Sequence, residues 1–253
     1  MNASLPRLAV VVPVFNETAW IRPTLAALAA QVDQDFDVVF VDNGSTDDSV
    51  AIIEEFTADR PRWRVIHEPQ KGTGAAADTG MRAAIAAGAG ILARTDADCL
   101  PRRDWTASMR RALTTEGLQL VGGELVPRTD EGLPWFTRLG LRGAVHLAEA
   151  FGRVRKDNRS PQYLGPYMMA AGCNVGITAE LYRQSGGFPR TRIEDLHEDR
   201  ALVNAVRRIT PHYARRGDIV VFGSSRRVNA WGLKNTLLWY KDHRYRPEHV
   251  DIR

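Results

Sequence analysis

This chain is short of cysteine, of long apolar runs and of any large excess of one charge. Its 253 residues include only Cys99 and Cys173, so no disulfide framework is implied and a reducing cytosol is the expected setting. No stretch reaches the roughly twenty apolar residues that a membrane-spanning helix needs. The start, MNASLPRLAVVVPVF, has an apolar run of leader-like length. It lacks a basic beginning and breaks at Pro13 and at Asn16-Glu17, so it reads as a first strand rather than a signal peptide. A formal net charge of +4 is too mild to argue for a nucleic-acid partner and fits an anionic substrate or a membrane surface. Two phosphate-binding patterns are also missing. No glycine-rich loop follows the first strand, which counts against a Rossmann dehydrogenase and against a sugar-nucleotide nucleotidyltransferase. No G-x-x-x-x-G-K-[ST] supports a P-loop enzyme. Internal repeats and low-complexity segments are not evident.

What is present in the first hundred residues is an alternation of apolar strands and helices. Leu8 to Val14 is β-branched and apolar, as a strand buried on both faces requires. A helix follows to about Ala30, with Ile21, Leu25 and Leu28 at helical spacing. Phe36 to Val41 is a second buried strand, ending in the turn cluster Asp42-Asn43-Gly44-Ser45-Thr46-Asp47. The next helix carries Val50, Ile53 and Phe56, with Asp47 or Asp48 available as its cap. Trp63 to His67 is a third strand, followed by the loop Gln70 to Gly74 and an Ala-rich helix from about Ala75 to Ala87. Four strands alternating with helices predict an α/β fold with a mostly parallel sheet, and ligands beyond the carboxyl ends of its strands. Glu17, Asp42, Lys71, Asp96 and Asp98 all fall at or just after such ends.

The fourth strand, Ile91 to Ala93, runs into Asp96-Ala97-Asp98. If the chain stays extended there, the two carboxylates point to the same side. Two hard oxygen ligands suit Mg²⁺ or Mn²⁺ shared with substrate phosphates and water. A solvated turn fits the same three residues, because Asp often bonds its own backbone.

The second half predicts a strand at Leu120 to Val126, an amphipathic helix over Trp135 to Phe151, and a polar loop from Arg153 to Pro166. A glycine-broken extended stretch covers Met168 to Thr178, and a short helix Ala179 to Gln184. Gly186-Gly187-Phe188-Pro189 is a turn, and Arg190 to His197 a flexible-looking segment. Glu198-Asp199 opens a helix with Ala201, Leu202, Ala205, Val206 and Ile209 on its apolar face. Asp218 to Phe222 is a late strand. Arg226, in Ser225-Arg226-Arg227, either closes over a diphosphate, whose geometry Arg matches, or is surface charge. His197, His212 and His243 are candidates for a third metal ligand, each with a surface or capping role as the alternative. The tail Leu237 to Arg246 mixes aromatic and basic residues, as a contact with an anionic membrane face would need. A helix packed on the core is the competing reading.

VVPVFNE, VDNGSTDDS, KGTGAAADTG, the D-x-D, GGF and HEDRAL, in that order, resemble glycosyltransferase family 2, with its GT-A-type fold. The resemblance runs from about Leu8 to Ile209. It implies a single catalytic domain over 1–253, a Rossmann-like sandwich with a mostly parallel central sheet flanked by helices. Its nucleotide-binding half would be 1–99, its acceptor-binding half 100–225, and 226–253 a basic, aromatic tail. It implies that Pro13, Phe15, Glu17 and Asp42 line the nucleotide pocket, that Lys71 and Gly72 border it, and that Asp96 and Asp98 flank the ribose and a Mn²⁺ or Mg²⁺ ion. Asp199, with Glu198 beside it, would serve the acceptor. The family often has Asn where Asp78 stands here.

The implied activity is inverting transfer of a sugar from a nucleotide diphosphate donor, a UDP-sugar first, to a hydroxyl of a glycan, lipid-linked or small-molecule acceptor. Cell-envelope or polysaccharide synthesis is the implied setting, in the cytoplasm or at the inner face of the membrane. The developing diphosphate charge calls for a cation, the acceptor hydroxyl for a carboxylate base. A non-catalytic sugar-nucleotide-binding protein of the same fold is the rival from another class.

Overall fold

The structure, a computed structural model of the chain, describes residues 5–141, 143, 152, 158–190 and 198–242, with side chains to residue 236. In chain order its elements are β1 (Leu8–Val14), α1 (Ile21–Ala29), β2 (Phe36–Asp42), α2 (Ser49–Thr57), β3 (Trp63–His67), α3 (Thr73–Ala86), β4 (Ile91–Arg94), β5 (Leu100–Pro101), α4 (Trp105–Thr114) and β6 (Leu120–Pro127). Then come helical residues 135–141 (α5), β7 (Val175–Thr178), α6 (Ala179–Ser185), α7 (Glu198–Val206), β8 (Tyr213–Gly223) and α8 (Arg226–Asp242).

One eight-stranded sheet runs β3-β2-β1-β4-β7-β6-β8-β5. The first four strands are parallel neighbours, as the alternation predicts. Beyond β4 the sheet is mixed. β7 is antiparallel to both β4 and β6, β8 is parallel to β6, and β5 is antiparallel to β8. Period-two alternation divides the core in two. Leu8, Val10, Val12 and Val14 pack with α1 and α4 on one face, while Ala9 and Val11 pack with α3, α6 and α7 on the other. Both faces are covered, which is why β1 reads as an unbroken apolar run. Small residues bring α3 close: a Cβ at Gly80 would stand 2.4 Å from Val11 and 2.7 Å from Val41. Pro13 is tolerated in a central strand because β4 pairs β1 only as far as Val11; no ladder partner waits for the missing N–H.

Three expectations need correcting. The D-x-D is not extended: β4 ends at Arg94, and Cys99 N–H bonds the Asp96 carbonyl across a turn at 3.1 Å. β8 begins five residues earlier than expected, at Tyr213, because its first half is only partly buried and tolerates Arg215 and Arg216. His212 lies at the start of β8, where its carbonyl accepts from Gln119 N–H. That is the opposite end of the sheet from Asp96, so His212 is no metal ligand.

His197, His243, the segment 191–197 and the rest of the helix predicted beyond residue 141, except 143 and 152, lie outside the described residues. So do the tail side chains from Leu237 onward. Arg190 itself is held, donating to Glu68 at 2.8 Å and to Thr79 at 2.8 Å. Among the described residues no helix is long and apolar enough to cross a membrane.

Candidate active site

The loops after β1 and β2 latch onto each other through side chains. Asn16 turns the chain with φ 53°, an unusual value outside glycine. Its Oδ1 accepts from Thr46 N–H at 2.9 Å, and Glu17 N–H donates to Ser49 Oγ at 2.7 Å. Asp47 accepts from Thr18 N–H and from Ser49 N–H, so it stabilises the start of α2 from outside the helix. Asp42, at the end of β2, accepts from Ser45 N–H at 2.9 Å, from Gly44 N–H at 3.2 Å and pairs with His67 Nδ1 at 3.2 Å. Burial works against its ionisation, but those donors overcome it and hold its pKa below the ordinary value.

Asn43 ties this turn to the third loop. Its Nδ2 donates to the Glu68 and Gln70 carbonyls, and its Oδ1 accepts from Gly72 N–H, each at 2.8 Å. Lys71 folds back over the turn. Its Nζ donates to the Asn43 carbonyl at 3.0 Å and lies 4.1 Å from the Phe15 ring centroid. Gly44, at φ 81°, keeps room for it: a Cβ there would sit 3.1 Å from the Lys71 Nζ. Pro13, Phe15, Asp42, Lys71 and Gly72 are thus brought into one corner at the strand ends.

Beside that corner stands a group of carboxylates. Arg226, at the start of α8, donates to both oxygens of Glu17 at 2.6 Å and reaches Asp98 at 3.3 Å. Burial pushes the Glu17 pKa up to about 7; Arg226 opposes the rise, and the charges of Asp98 and Asp96 add to it. The turn at 96–99 sends the two Asp side chains to different partners. Asp96 turns toward Arg94, 3.2 Å away, and Arg94 also reaches Glu198 at 3.4 Å. Arg94 is 1% exposed and lies 5.1 Å from the Phe188 ring. Asp199 accepts from Arg200 N–H at 2.6 Å. Its pKa is pushed up to about 7, first by burial and then by the neighbouring Glu198 charge.

A divalent cation fits this donor set. Burial and the charge of Asp98 raise the pKa values of both Glu17 and Asp96, and two arginines, Arg226 beside Glu17 and Arg94 beside Asp96, oppose the rise. Asp96 keeps 34% of its side chain open and uses only Oδ1 toward Arg94. Among the described residues no group of three or more His, Cys, Asp or Glu could hold a metal, so an ion here would draw its other ligands from phosphate and water, as Mg²⁺ usually does.

Sequence reasoning gave no site role to Arg94 or Asn43, and it read Cys173-Asn174 as a core strand and turn open to the acceptor side, which the burial of Asn174 corrects. Asn174 is fully buried, accepts from Trp105 Nε1 at 2.8 Å and donates to the Glu124 and Ile219 carbonyls; it knits β6 and β8 behind the site. The chain's two cysteines also meet here as free thiols, Cys99 donating to Asp98 Oδ1 at 3.4 Å, with Cys173 packed against the same cluster. A cavity of about 430 Å³ lined by Asn158, Tyr163, Tyr167 and Arg207 lies elsewhere, at the far end of α7.

Residues 9–185 match the family described as Glycosyl transferase family 2. Glycosyltransferase AglE of Haloferax volcanii is 33% identical over 128 residues, 49% of this chain and 41% of that protein. Among solved structures, S. aureus TarS 1–349 in complex with UDP-GlcNAc aligns with TM-score 0.65 and 16% identity over 87% of this chain and 59% of that one. Mannosyltransferase PcManGT from Pyrobaculum calidifontis, in complex with GDP-Man and Mn²⁺, aligns with TM-score 0.64 and 23% identity over 94% of this chain and 63% of that one. These structural likenesses establish a GT-A arrangement. The chain spans about two-fifths of the length of the curated relative.

Proposed function

The chain belongs to glycosyl transferase family 2, and from that premise we propose that it is an inverting glycosyltransferase moving a sugar from a nucleoside diphosphate to an acceptor hydroxyl. The observation that carries the reading is the meeting, at the ends of β1, β2 and β4, of the corner built by Phe15, Asp42, Lys71 and Gly72 with a carboxylate group bounded by Arg226 and Arg94. The solved neighbours hold UDP-GlcNAc and GDP-Man, which supports a nucleotide-sugar donor; we take a UDP-sugar as the first to try. The acceptor class stays a glycan, a lipid-linked molecule or a small molecule, in cell-envelope or polysaccharide synthesis. The nucleotide half 1–99 and the acceptor half 100–225 are part of the same proposal.

In the mechanism we propose, Pro13, Phe15, Glu17, Asp42, Lys71 and Gly72 receive the nucleoside. Asp98 and Asp96 would hold Mn²⁺ or Mg²⁺, which supplies Lewis-acid neutralisation of the diphosphate when bound. Arg226 exchanges part of its pairing with Glu17 for a phosphate oxygen, a geometry its planar fork suits. Asp199 takes the proton of the acceptor hydroxyl as that oxygen bonds the anomeric carbon and the anomeric carbon–phosphate oxygen bond breaks. By analogy with glycoside chemistry the transition state is oxocarbenium-like. Glu198, paired to Arg94, orients the acceptor.

The test is a donor panel read out by released nucleoside diphosphate, with and without Mn²⁺. Metal-dependent release is expected, and Asp98→Asn should abolish it while the fold stays intact. Nucleotide binding without release from any donor would favour the non-catalytic reading, and undiminished release in the variant would remove Asp98 from the role.

A further inference from the structure

The cavity of about 430 Å³ at the far end of α7 takes no part in the site described above. Its volume is that of a small-molecule site. Among the described residues that line it none is acidic, whereas Arg207 lines it with a cation and is itself only 2% exposed.

The Arg207 guanidinium is held by neutral acceptors. Nε donates to the Gly165 carbonyl at 3.4 Å and Nη1 to Asn204 Oδ1 at 2.8 Å. Nη2 donates to the Asn158 and Gly165 carbonyls at 3.0 and 3.1 Å. Arginine carries five N–H groups, so one on Nη1 is left over. Among the described residues no carboxylate pairs with Arg207. A buried charge is costly until it is paired, and the space beside this one is open to an anion.

Two tyrosines give the cavity its second character. The Tyr163 ring lies 4.0 Å from the guanidinium carbon of Arg207, and the Tyr167 ring 5.7 Å. Tyr163 is half-buried. The negative face of an aromatic ring suits the C–H groups of a sugar. The wall is fixed beforehand: Leu164 N–H bonds the Arg207 carbonyl at 2.8 Å, and Tyr213 Oη donates to the Pro166 carbonyl at 2.8 Å. A ligand therefore binds without having to order it.

The same helix carries the proposed base. Arg207 N–H bonds the Val203 carbonyl at 2.9 Å and so continues the ladder of α7. Eight positions on from Asp199, it stands about 12 Å along the axis, a distance that an acceptor glycan of a few units spans. Its one uncompensated charge matches the single charge of a carboxylate rather than the higher charge of a phosphate.

We propose that this cavity binds a carboxylate-bearing sugar, an acidic unit of the acceptor that lies away from the hydroxyl receiving the new sugar. Calling that sugar part of the acceptor rests on the sugar-transfer reading; the binding itself does not.

Calorimetric titration of the full chain with glucuronate, glucose and inorganic phosphate tests it. Glucuronate should bind about tenfold tighter than glucose, the worth of a charge-assisted hydrogen bond, and tighter than phosphate. Tyr163→Leu should lower glucuronate affinity about fivefold and leave phosphate binding unchanged. Arg207→Gln should erase the preference for glucuronate over glucose. Because Arg207 also ties the wall to α7, circular dichroism checks that variant's fold, and Tyr163→Leu decides alone if it unfolds. No binding of glucuronate, glucose or phosphate binding as tightly, or Tyr163→Leu without effect overturns the proposal. Glucuronate binding by a chain that releases nucleoside diphosphate from no donor would sink the transfer reading and leave the site standing.

Discussion

Two arginines divide the site, and they are built into it differently. Arg226 arrives from the start of α8, more than two hundred residues along the chain from its partner Glu17, and meets that carboxylate in a two-pronged pair. Arg94 is the last residue of β4, wholly enclosed, and holds Asp96 and Glu198 at longer distances of 3.2 and 3.4 Å. The first pairing sits where a diphosphate is expected and has a good alternative partner in phosphate. The second has none on offer: it joins the strand that delivers the D-x-D to the helix that delivers Asp199. The comparison suggests an exchangeable contact on the donor side and a fixed one on the acceptor side.

The sharpest way to break that comparison is to remove each arginine. Arg94→Met leaves Glu198 buried without its cation, and we expect a loss of about 3 kcal/mol in urea unfolding at neutral pH, the low end for a broken buried pair because Asp96 keeps solvent contact. The loss should shrink toward acid pH as Asp96, whose pKa burial already raises, takes up a proton. Arg226→Met should cost less, since Glu17 is already pushed up to about 7 and can hold a proton in place of the arginine. Equal losses would put both pairs in the same structural class.

Next in size is the acceptor-side carboxylate. Asp199→Asn should lower transfer by about a hundredfold or more, the scale of a lost general base, with nucleoside diphosphate affinity unchanged in calorimetry. Glu198→Gln should be milder, because the amide oxygen can still accept from the Arg94 guanidinium. A dead Glu198→Gln beside an active Asp199→Asn would reverse the two roles.

The pH dependence sharpens the same point. Asp199 has an ordinary value of 3.8 and is pushed up to about 7 when folded. Between those values the folded chain holds a proton that the unfolded chain has lost, so stability from this group falls as pH rises through the window. Activity should rise over the upper part of that window as the base ionises. A transfer rate with an acid limb near pH 7 is expected, together with an Asp199→Asn variant that gains stability over wild type above about pH 7 and matches it near pH 4. A flat rate profile from pH 5 to 8 would remove Asp199 as the base.

How much of this was legible follows from where each residue sits. The turn after β2 could be read because its geometry is local: Asp42, Asn43 and Gly44 are consecutive, and the turn brings its own donors to Asp42. Parallel β1, β2 and β4 could be read because each is built on an apolar run bounded by turn residues, whereas β3, at the sheet edge, mixes Trp63, Val65 and Ile66 with Arg64 and His67. Arg94 could not. A cation closing an apolar strand looks like the strand's end, and its partner Glu198 is more than a hundred residues away. The turn at Asp96 to Cys99 was one of two readings the residues allowed, and distant pairings decide it: the ladders of β4 with β1 and with β7, which begins opposite Arg94, both stop at that residue. The order β7-β6-β8-β5 depends on pairings between distant segments, which no local pattern encodes.

Smaller effects should come from the donor corner, where several weak contacts share the load. Asp42→Ala removes a carboxylate that organises its own turn, and nucleoside diphosphate affinity should fall about tenfold, the worth of one charge-assisted hydrogen bond. Lys71→Met should do less. Lys71 is exposed, its ammonium is satisfied by two carbonyls, and a cation over an aromatic ring in water contributes only about 0.5–1 kcal/mol. We therefore expect no more than about a threefold loss of nucleotide affinity, unless Lys71 leaves the Phe15 ring to meet a phosphate. That alternative has its own signature. A direct phosphate contact would make the loss larger for the diphosphate than for the nucleoside, whereas a lysine that only steadies Phe15 would weaken both alike. Titrating Lys71→Met with the two ligands side by side separates a charge that travels to the substrate from one that stays to hold the wall.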